Sequence, residues 1–411
     1  MFEREINDLQ NELESHYKDL HEHPEKGFHE TRTAAFIAKE LKSYGLKVKM
    51  GVGLTGVVAE LDSGKPGKTL MMRADIDCLE IQEQTDVPWK SQNPGLMHGC
   101  GHDSHVTMLL GAANILSRHK EAFQGKIRFV FQPAEEGTPA DAWALLKKAG
   151  YDTTVQSGSL QMLQDHVMDG VDGCLVMHVQ PQIPFGNVRI SKRNAASSSD
   201  WFTIDIHGKG GHGAMPHKAI DPLPVAAQII NELYMIMARE IPASQTSAFT
   251  IGVCNTPSAV WNAVCDRVHM EGTYRNFNEG VREHIAARME EIVTSIAAAG
   301  RCTGSVQRVK YYKAVLNNET WSSRVAGYCR DFLGPDHVDY TEEPSITSED
   351  CGCFMEKAPG VYFWFGIGTE PDQPPLHSPR FYLDPKILVG GVRMHVNNAL
   401  HLLADMNAGV L

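Results

Sequence analysis

Residues 96–105 read Leu-Met-His-Gly-Cys-Gly-His-Asp-Ser-His, and the last eight of these positions hold three histidines, a cysteine and an aspartate. Imidazole nitrogen, thiolate sulfur and carboxylate oxygen are the donors that bind divalent transition metals. Gly99 and Gly101 allow the backbone to turn sharply between them. The apolar run that follows, from Val106 to Leu116, reads as a buried helix, so the candidate ligands sit where a loop meets a helix. A bland alternative stands beside this one: a reduced cysteine among ordinary histidines. The remaining ligands of a metal site must come from elsewhere.

Three other segments can supply them. The strand-like run Thr69–Arg73 leads into Ala74-Asp75-Ile76-Asp77. The run Lys126–Phe131 ends in Gln132-Pro133-Ala134-Glu135-Glu136-Gly137, and Gly173–Met177 delivers His178 at its end. In α/β sheets, ligands bind beyond the carboxyl ends of the strands, where these acidic and imidazole groups would lie. Adjacent glutamates can divide two jobs, one carboxylate binding metal while its neighbour shuttles protons. His377 lies in a proline-stiffened loop, Pro374–Pro379.

The elements around these residues follow from hydrophobic periodicity. Ile6, Leu9, Leu13 and Tyr17 predict an amphipathic helix from about Glu3 to Lys18, ended by His23-Pro24. A second helix is expected from Thr31 to Tyr44 with Gly45 closing it, then strands at Leu46–Met50 and Gly56–Leu61. The metal-rich loop feeds a helix over about Ser104 to Ser117. Strands alternating with helices imply a largely parallel sheet.

From about Ala195 the texture changes. Trp201–Ile206 alternates as a half-exposed strand, with further strands at Thr246–Cys254 and Val268–Tyr274. Helices are expected at Leu223–Arg239 and Glu279–Ala299. This reads as an inserted α+β domain over 195–305. The first pattern resumes with a strand at Val306–Tyr312, a helix at Glu319–Phe332, a strand at Val361–Phe365 and a helix from Pro385 to Ala404. The expected fold is α/β: a discontinuous catalytic domain (1–194 and 306–411) with a largely parallel central sheet, plus an inserted α+β lid and dimerisation domain.

Bulk properties bound the function. A chain of 411 residues is long for one core, so two domains are expected. A formal charge of −12, with no local basic cluster, argues against a nucleic-acid partner. No apolar run has the length of a membrane helix, and the charged N-terminus is unlike a signal peptide. The nine cysteines are odd in number and scattered, which points to reduced thiols in a cytoplasm. Gly208-Lys209-Gly210-Gly211-His212-Gly213 fits GxGxxG, but Pro216 and Pro222 interrupt the helix that a dinucleotide site requires.

The chain resembles the two-metal amidohydrolases and metallopeptidases that include indole-3-acetyl-amino-acid hydrolases, hippurate hydrolases and N-acyl-amino-acid deacetylases, relatives of aminoacylase and glutamate carboxypeptidase. The marks are Leu20-His21-Glu22-His23-Pro24-Glu25, Arg73–Asp77, Met97–Asp103, Phe131–Gly137, Gly208–His217, Glu271-Gly272-Thr273-Tyr274-Arg275 and Ser348-Glu349-Asp350. The resemblance implies two divalent ions per subunit (zinc, manganese, cobalt or nickel), held by Cys100, His102, Glu136, His178 and His377. It further implies Glu135 as general base and acid, and His212 as stabiliser of the oxyanion, commonly across a homodimer. Asn262 and Arg275 would grip the substrate carboxylate. Asp75, Asp77 and Asp103 are expected to orient ligand histidines rather than bind metal. His98 and His105 are expected to be structural.

Two departures bear on specificity: Glu80 stands where the family usually has proline, and the segment from Gly137 to His178 is longer than usual. Cys351-Gly352-Cys353 follows the Ser348–Asp350 motif. The expected activity is metal-dependent hydrolysis of the amide bond of an N-acyl amino acid, an amino-acid conjugate or a short peptide. The alternative is a non-catalytic metal- or ligand-binding relative of the same fold. A compact structural zinc module fits poorly, because the ligands come from distant segments.

Overall fold

The computed structural model describes residues 2–154, 157–257 and 260–411, so Val155 and Gln156 of the long 138–177 segment lie outside the described residues. Two compact units are present. One comprises Met1–Ala195, Leu316–Glu343 and Asp350–Leu411; the other comprises Ala196–Val315 and Pro344–Glu349.

The first unit is built on an eight-stranded sheet. Its order is Lys47–Val52, Gly56–Asp62, Lys126–Gln132, Thr69–Asp75, Gly173–Pro184, Gly360–Gly368, Val188–Ser191 and Val338–Thr341. The four central strands run parallel. The pairings at Gly56–Asp62 and between Gly360–Gly368 and Val188–Ser191 are antiparallel, so the parallel sheet has antiparallel flanks. Thr69–Asp75 is buried at every position, as a strand covered on both faces must be. The helix His102–Arg118 is buried along most of its length and packs in the same core as Leu388–Asn407.

Several expectations are corrected. The N-terminal helix is two helices, Glu3–Asp8 and Gln10–Glu22, joined at Leu9, and the second runs past Lys18. The site helix begins at His102 rather than Ser104. His178 is not at a strand end, because its strand runs on to Pro184, paired in register with Gly360–Gly368. The long segment after Gly137 carries two short helices, Trp143–Ala149 and Gly158–Gln164.

The second unit is a four-stranded antiparallel sheet in the order Ser247–Asn255, Arg267–Asn276, Ser199–His207 and Thr303–Tyr312. Phe202, Ile204 and Ile206 point to one face, where they share a core with residues of the helices Pro222–Arg239 and Glu279–Ala299. Both helices start on side-chain caps, Asp221 accepting from Leu223 N–H and Asn278 from Val281 N–H. The strand expected at Val306–Tyr312 to resume the first pattern instead pairs with Ser199–His207 as an edge of this sheet. After Gly208–Gly213 comes only a 3₁₀ turn, Pro216–Lys218, and the next helix starts at Pro222. Among the described residues no helix is long and apolar enough to cross a membrane.

Candidate metal centre

Gly101 has φ +82, a left-handed conformation open to glycine, and it turns the chain so that the helix starts at once with His102. One donor atom from each of Cys100, His102 and Glu136 lies within 4.8 Å of the others. His102 Nδ1 stands 3.0 Å from the Asp77 carbonyl and 3.2 Å from Asp77 Oδ1, so it carries the proton. In the neutral ring Nε2 then carries the lone pair, and this atom is buried with no hydrogen-bond partner. It faces Glu136 Oε1 at 4.0 Å. Two ligands each about 2.0–2.3 Å from a shared ion stand at such separations. A cation fits this orphaned nitrogen.

The remaining expected ligands adjoin these. His178 Nε2 is 3.5 Å from Cys100 Sγ, while its Nδ1 donates to the Val179 carbonyl at 2.8 Å. His377 Nε2 is 3.2 Å from Glu136 Oε1. His377 has φ +65 and its N–H donates to the Gly99 carbonyl, which ties the proline-rich loop to the Cys100 loop. The structure therefore brings Cys100, His102, Glu136, His178 and His377 together in the first unit.

Electrostatics match a cation site. Burial lowers the His102 pKa, but Asp75, Asp77 and Glu136 outweigh it and push it up to about 10. Burial, together with Glu136, Glu135 and Asp75, raises the Cys100 thiol well above its ordinary value. Both shifts report a buried negative field that takes up protons when no metal is there; a bound cation would answer the same field. Burial, with the His105 ring beside it, holds His178 neutral, so its Nε2 carries a lone pair toward Cys100.

The three aspartates are each engaged with neighbours of the cluster, and Asp75 Oδ2 also stands 3.6 Å from His102 Nε2. Asp77 holds His102 through Oδ1 and the backbone N–H of Glu136 through Oδ2 at 3.0 Å. Asp75 is taken up by Arg73 at 2.7 Å and His105 Nδ1 at 2.5 Å. His105 Nε2 accepts from Val179 N–H at 3.0 Å, which leaves neither ring nitrogen for a metal. Asp103 is turned away and binds His21 Nδ1 at 2.6 Å, and His21 Nε2 reaches Glu83 at 3.3 Å. His98 is buried beside His21, their ring centroids 6.5 Å apart, and is not in the ligand cluster.

Glu135 is buried, with Oε2 3.9 Å from His102 Nε2. Two sets of supporting residues were not foreseen. Arg73, Gln132 and Asp350 form a buried network, in which Gln132 Nε2 donates to both Asp350 oxygens at 2.7 and 2.8 Å. Glu30 Oε1 accepts from Ala134 N–H at 2.9 Å, next to the glutamate pair. The only hint of Glu30 was its place just after the His21–Glu25 motif. Glu80 is exposed, 3.5 Å from Lys26, which also binds Asp141 at 2.8 Å. Cys351 and Cys353 are buried around the start of the helix Gly352–Met355.

The second unit carries His212, Asn262 and Arg275. His212 pairs in register with Ala263 in a two-stranded ribbon, and Asn262 accepts from Gly213 N–H at 2.9 Å, so His212 and Asn262 share one small element. Both are exposed. Arg275, half-buried on the four-stranded sheet, donates to Ser348 Oγ.

The model of peptidase family M20/M25/M40 matches residues 71–401. The thermostable carboxypeptidase 1 of Saccharolobus solfataricus is 35% identical over 92% of this chain and 92% of its own length. The N-acetyl-L-cysteine deacetylase of Bacillus subtilis is 32% identical over 97% of this chain and 90% of its own. Among solved structures, the Bacillus subtilis YXEP protein, described as a dinuclear metal-binding peptidase, superposes with a TM-score of 0.80 at 29% identity, covering 97% of this chain and 99% of that one.

Proposed function

We propose, for a chain that belongs to peptidase family M20/M25/M40 and is thereby a metal-dependent hydrolase of amide or peptide bonds, that it releases an amino acid from an N-acyl amino acid, an amino-acid conjugate or a short peptide. The observation that carries this reading is the buried, unpartnered His102 Nε2 facing Glu136, with Glu135 3.9 Å away and Cys100 in the same cluster. Relatives named as a carboxypeptidase and a deacetylase span the substrate class.

Cys100, His102, Glu136, His178 and His377 would hold two divalent ions, zinc, manganese, cobalt or nickel all suiting this donor set. When bound, such ions make water acidic enough to attack at neutral pH and polarise the scissile carbonyl. Glu135 takes the proton of the attacking water and returns it to the leaving nitrogen, a role worth about 10²–10⁴ in rate. Its burial keeps bulk water from competing for that proton. His212 donates to the developing oxyanion, from its own chain or from a second copy in a homodimer. Asn262 and Arg275 hold the carboxylate of the departing amino acid, Arg275 through its planar donor fork. The free thiols suit a reducing cytoplasm.

The test is a panel of N-acyl amino acids and dipeptides, assayed by amine release after defined metals are added to apo-protein. Release from members of one class names the substrate. Metal bound without release from any would favour the non-catalytic reading.

A further inference from the structure

We infer that Glu30 is a positioning residue for Glu135 and Glu136, acting through the backbone of Ala134. Ala134 is buried and has φ +47, a left-handed conformation that a side-chain-bearing residue keeps only where its surroundings enforce it. It lies just past the strand Lys126–Gln132, and both of its backbone polar groups are bound by distant segments. Its N–H donates to Glu30 Oε1 at 2.9 Å, and its carbonyl accepts from Gly158 N–H at 3.1 Å. Two residues on, Glu136 N–H donates to Asp77 Oδ2 at 3.0 Å. Glu135 leaves the chain between these held points, so its direction and that of Glu136 are set by where Ala134 is pinned.

Glu30 itself is fixed. It is fully buried, and its second oxygen accepts from the Thr55 hydroxyl at 2.5 Å. The long segment backs the same turn: Ala142 and Leu146 pack with Phe28 and Ala134 in a small separate core, with Trp143 and Tyr151 against it. The long segment need not touch substrate to do this. Burial, added to by the Asp77 charge, raises the Glu30 carboxyl to about 8, so near neutral pH an amide is a fair mimic of it.

The inference rests on the proposed ligand set but not on the substrate class, and cobalt(II) keeps the two apart. Wild type, Glu30→Ala and Glu30→Gln are loaded with cobalt(II), and the visible spectrum is recorded with kcat and KM. Glu30→Ala is expected to change the cobalt bands, bind the ion about 10–100-fold more weakly, and lower kcat with little change in KM. Glu30→Gln is expected to restore the wild-type spectrum and most of kcat. A folded Glu30→Ala with unchanged spectrum and kcat overturns the inference, as does a Glu30→Gln no better than Glu30→Ala. If Glu30→Ala does not fold, Thr55→Val frees one oxygen of Glu30 at nearly constant volume. It should shift the cobalt bands in the same direction, and an unchanged spectrum again overturns the inference. Wild-type protein with a cobalt–thiolate band but no hydrolysis counts against the substrate reading alone.

Discussion

His105 Nε2 accepts the backbone N–H of Val179 at 3.0 Å, and this contact decides which imidazoles are left for a cation. With Nδ1 bound to Asp75, the ring of His105 is used up, although it lies in the same cluster as His102 and His178. His105→Ala is therefore expected to retain the full metal content while weakening affinity about 10–100-fold, because Asp75 loses a partner. His102→Ala should lose bound metal outright. Elemental analysis of the two purified variants separates the roles, and equal losses would make His105 a ligand.

Glu135→Ala should bind metal as wild type does and lose about 10²–10⁴ in kcat, the usual range for a removed proton shuttle. Glu136→Ala should lose metal as well as turnover, since its carboxylate lies among Cys100, His102 and His377. Near-normal turnover by Glu135→Ala would remove it from the mechanism.

Metal loading should release protons. The Cys100 thiol is held protonated by burial and by Glu136, Glu135 and Asp75, and His102 is pushed up to about 10 by Asp75 and its neighbours against burial. A cation must displace both protons, so affinity rises with pH through the neutral range. Titration of apo-protein with zinc in weak buffer should show acid release, reduced in Cys100→Ala. Release of equal size in that variant would place the proton elsewhere.

His21, which lies outside the ligand cluster, is expected to link stability to alkaline pH. Burial lowers the His21 pKa, but Asp103 and Glu83 outweigh it and raise it to about 9. A folded-state pKa above the unfolded value of about 6.5 means that the stabilisation is complete below about 6.5 and is lost as pH rises through about 9. The linked contribution is on the order of 3 kcal/mol. Thermal unfolding of wild type should fall over that window. In His21→Gln, already less stable, the alkaline fall should be flatter. Parallel curves would contradict the assignment.

Gly158 tests how tightly the glutamate turn is backed. A Cβ there would lie 1.7 Å from the Pro133 carbonyl oxygen, a contact no rotamer relieves. Gly158→Ala is expected to cost about 1–3 kcal/mol and to lower Tm. A Tm equal to wild type would mean that the turn yields easily.

The donors of the site were legible because metal chemistry restricts them to a few residue types, and Cys100, His102 and Glu136 stand next to strong apolar runs. Their supports were less so. Glu30, Arg73 and Asp350 act through contacts between segments far apart in the chain, and nothing local marks a carboxylate as buried. The strand Thr303–Tyr312 alternates as a strand of either sheet would, and only its pairing with Ser199–His207 assigns it. His178 looked terminal because Gln180, Pro181, Gln182 and Pro184 resemble a loop. The neighbouring strand Gly360–Gly368 keeps them extended.

That strand sets an order of events during synthesis. Gly360–Gly368 stands between Gly173–Pro184 and Val188–Ser191 in the sheet, so strands close together in the chain are bridged by one that begins 169 positions after Ser191. The second unit, with its own four-stranded sheet and core, has all but six of its residues by Val315. On the ribosome it can form first, while the Cys100 loop and His178 wait in an unfinished sheet. The nascent chain thus carries its softest metal donors before the strand and loop that complete their site exist.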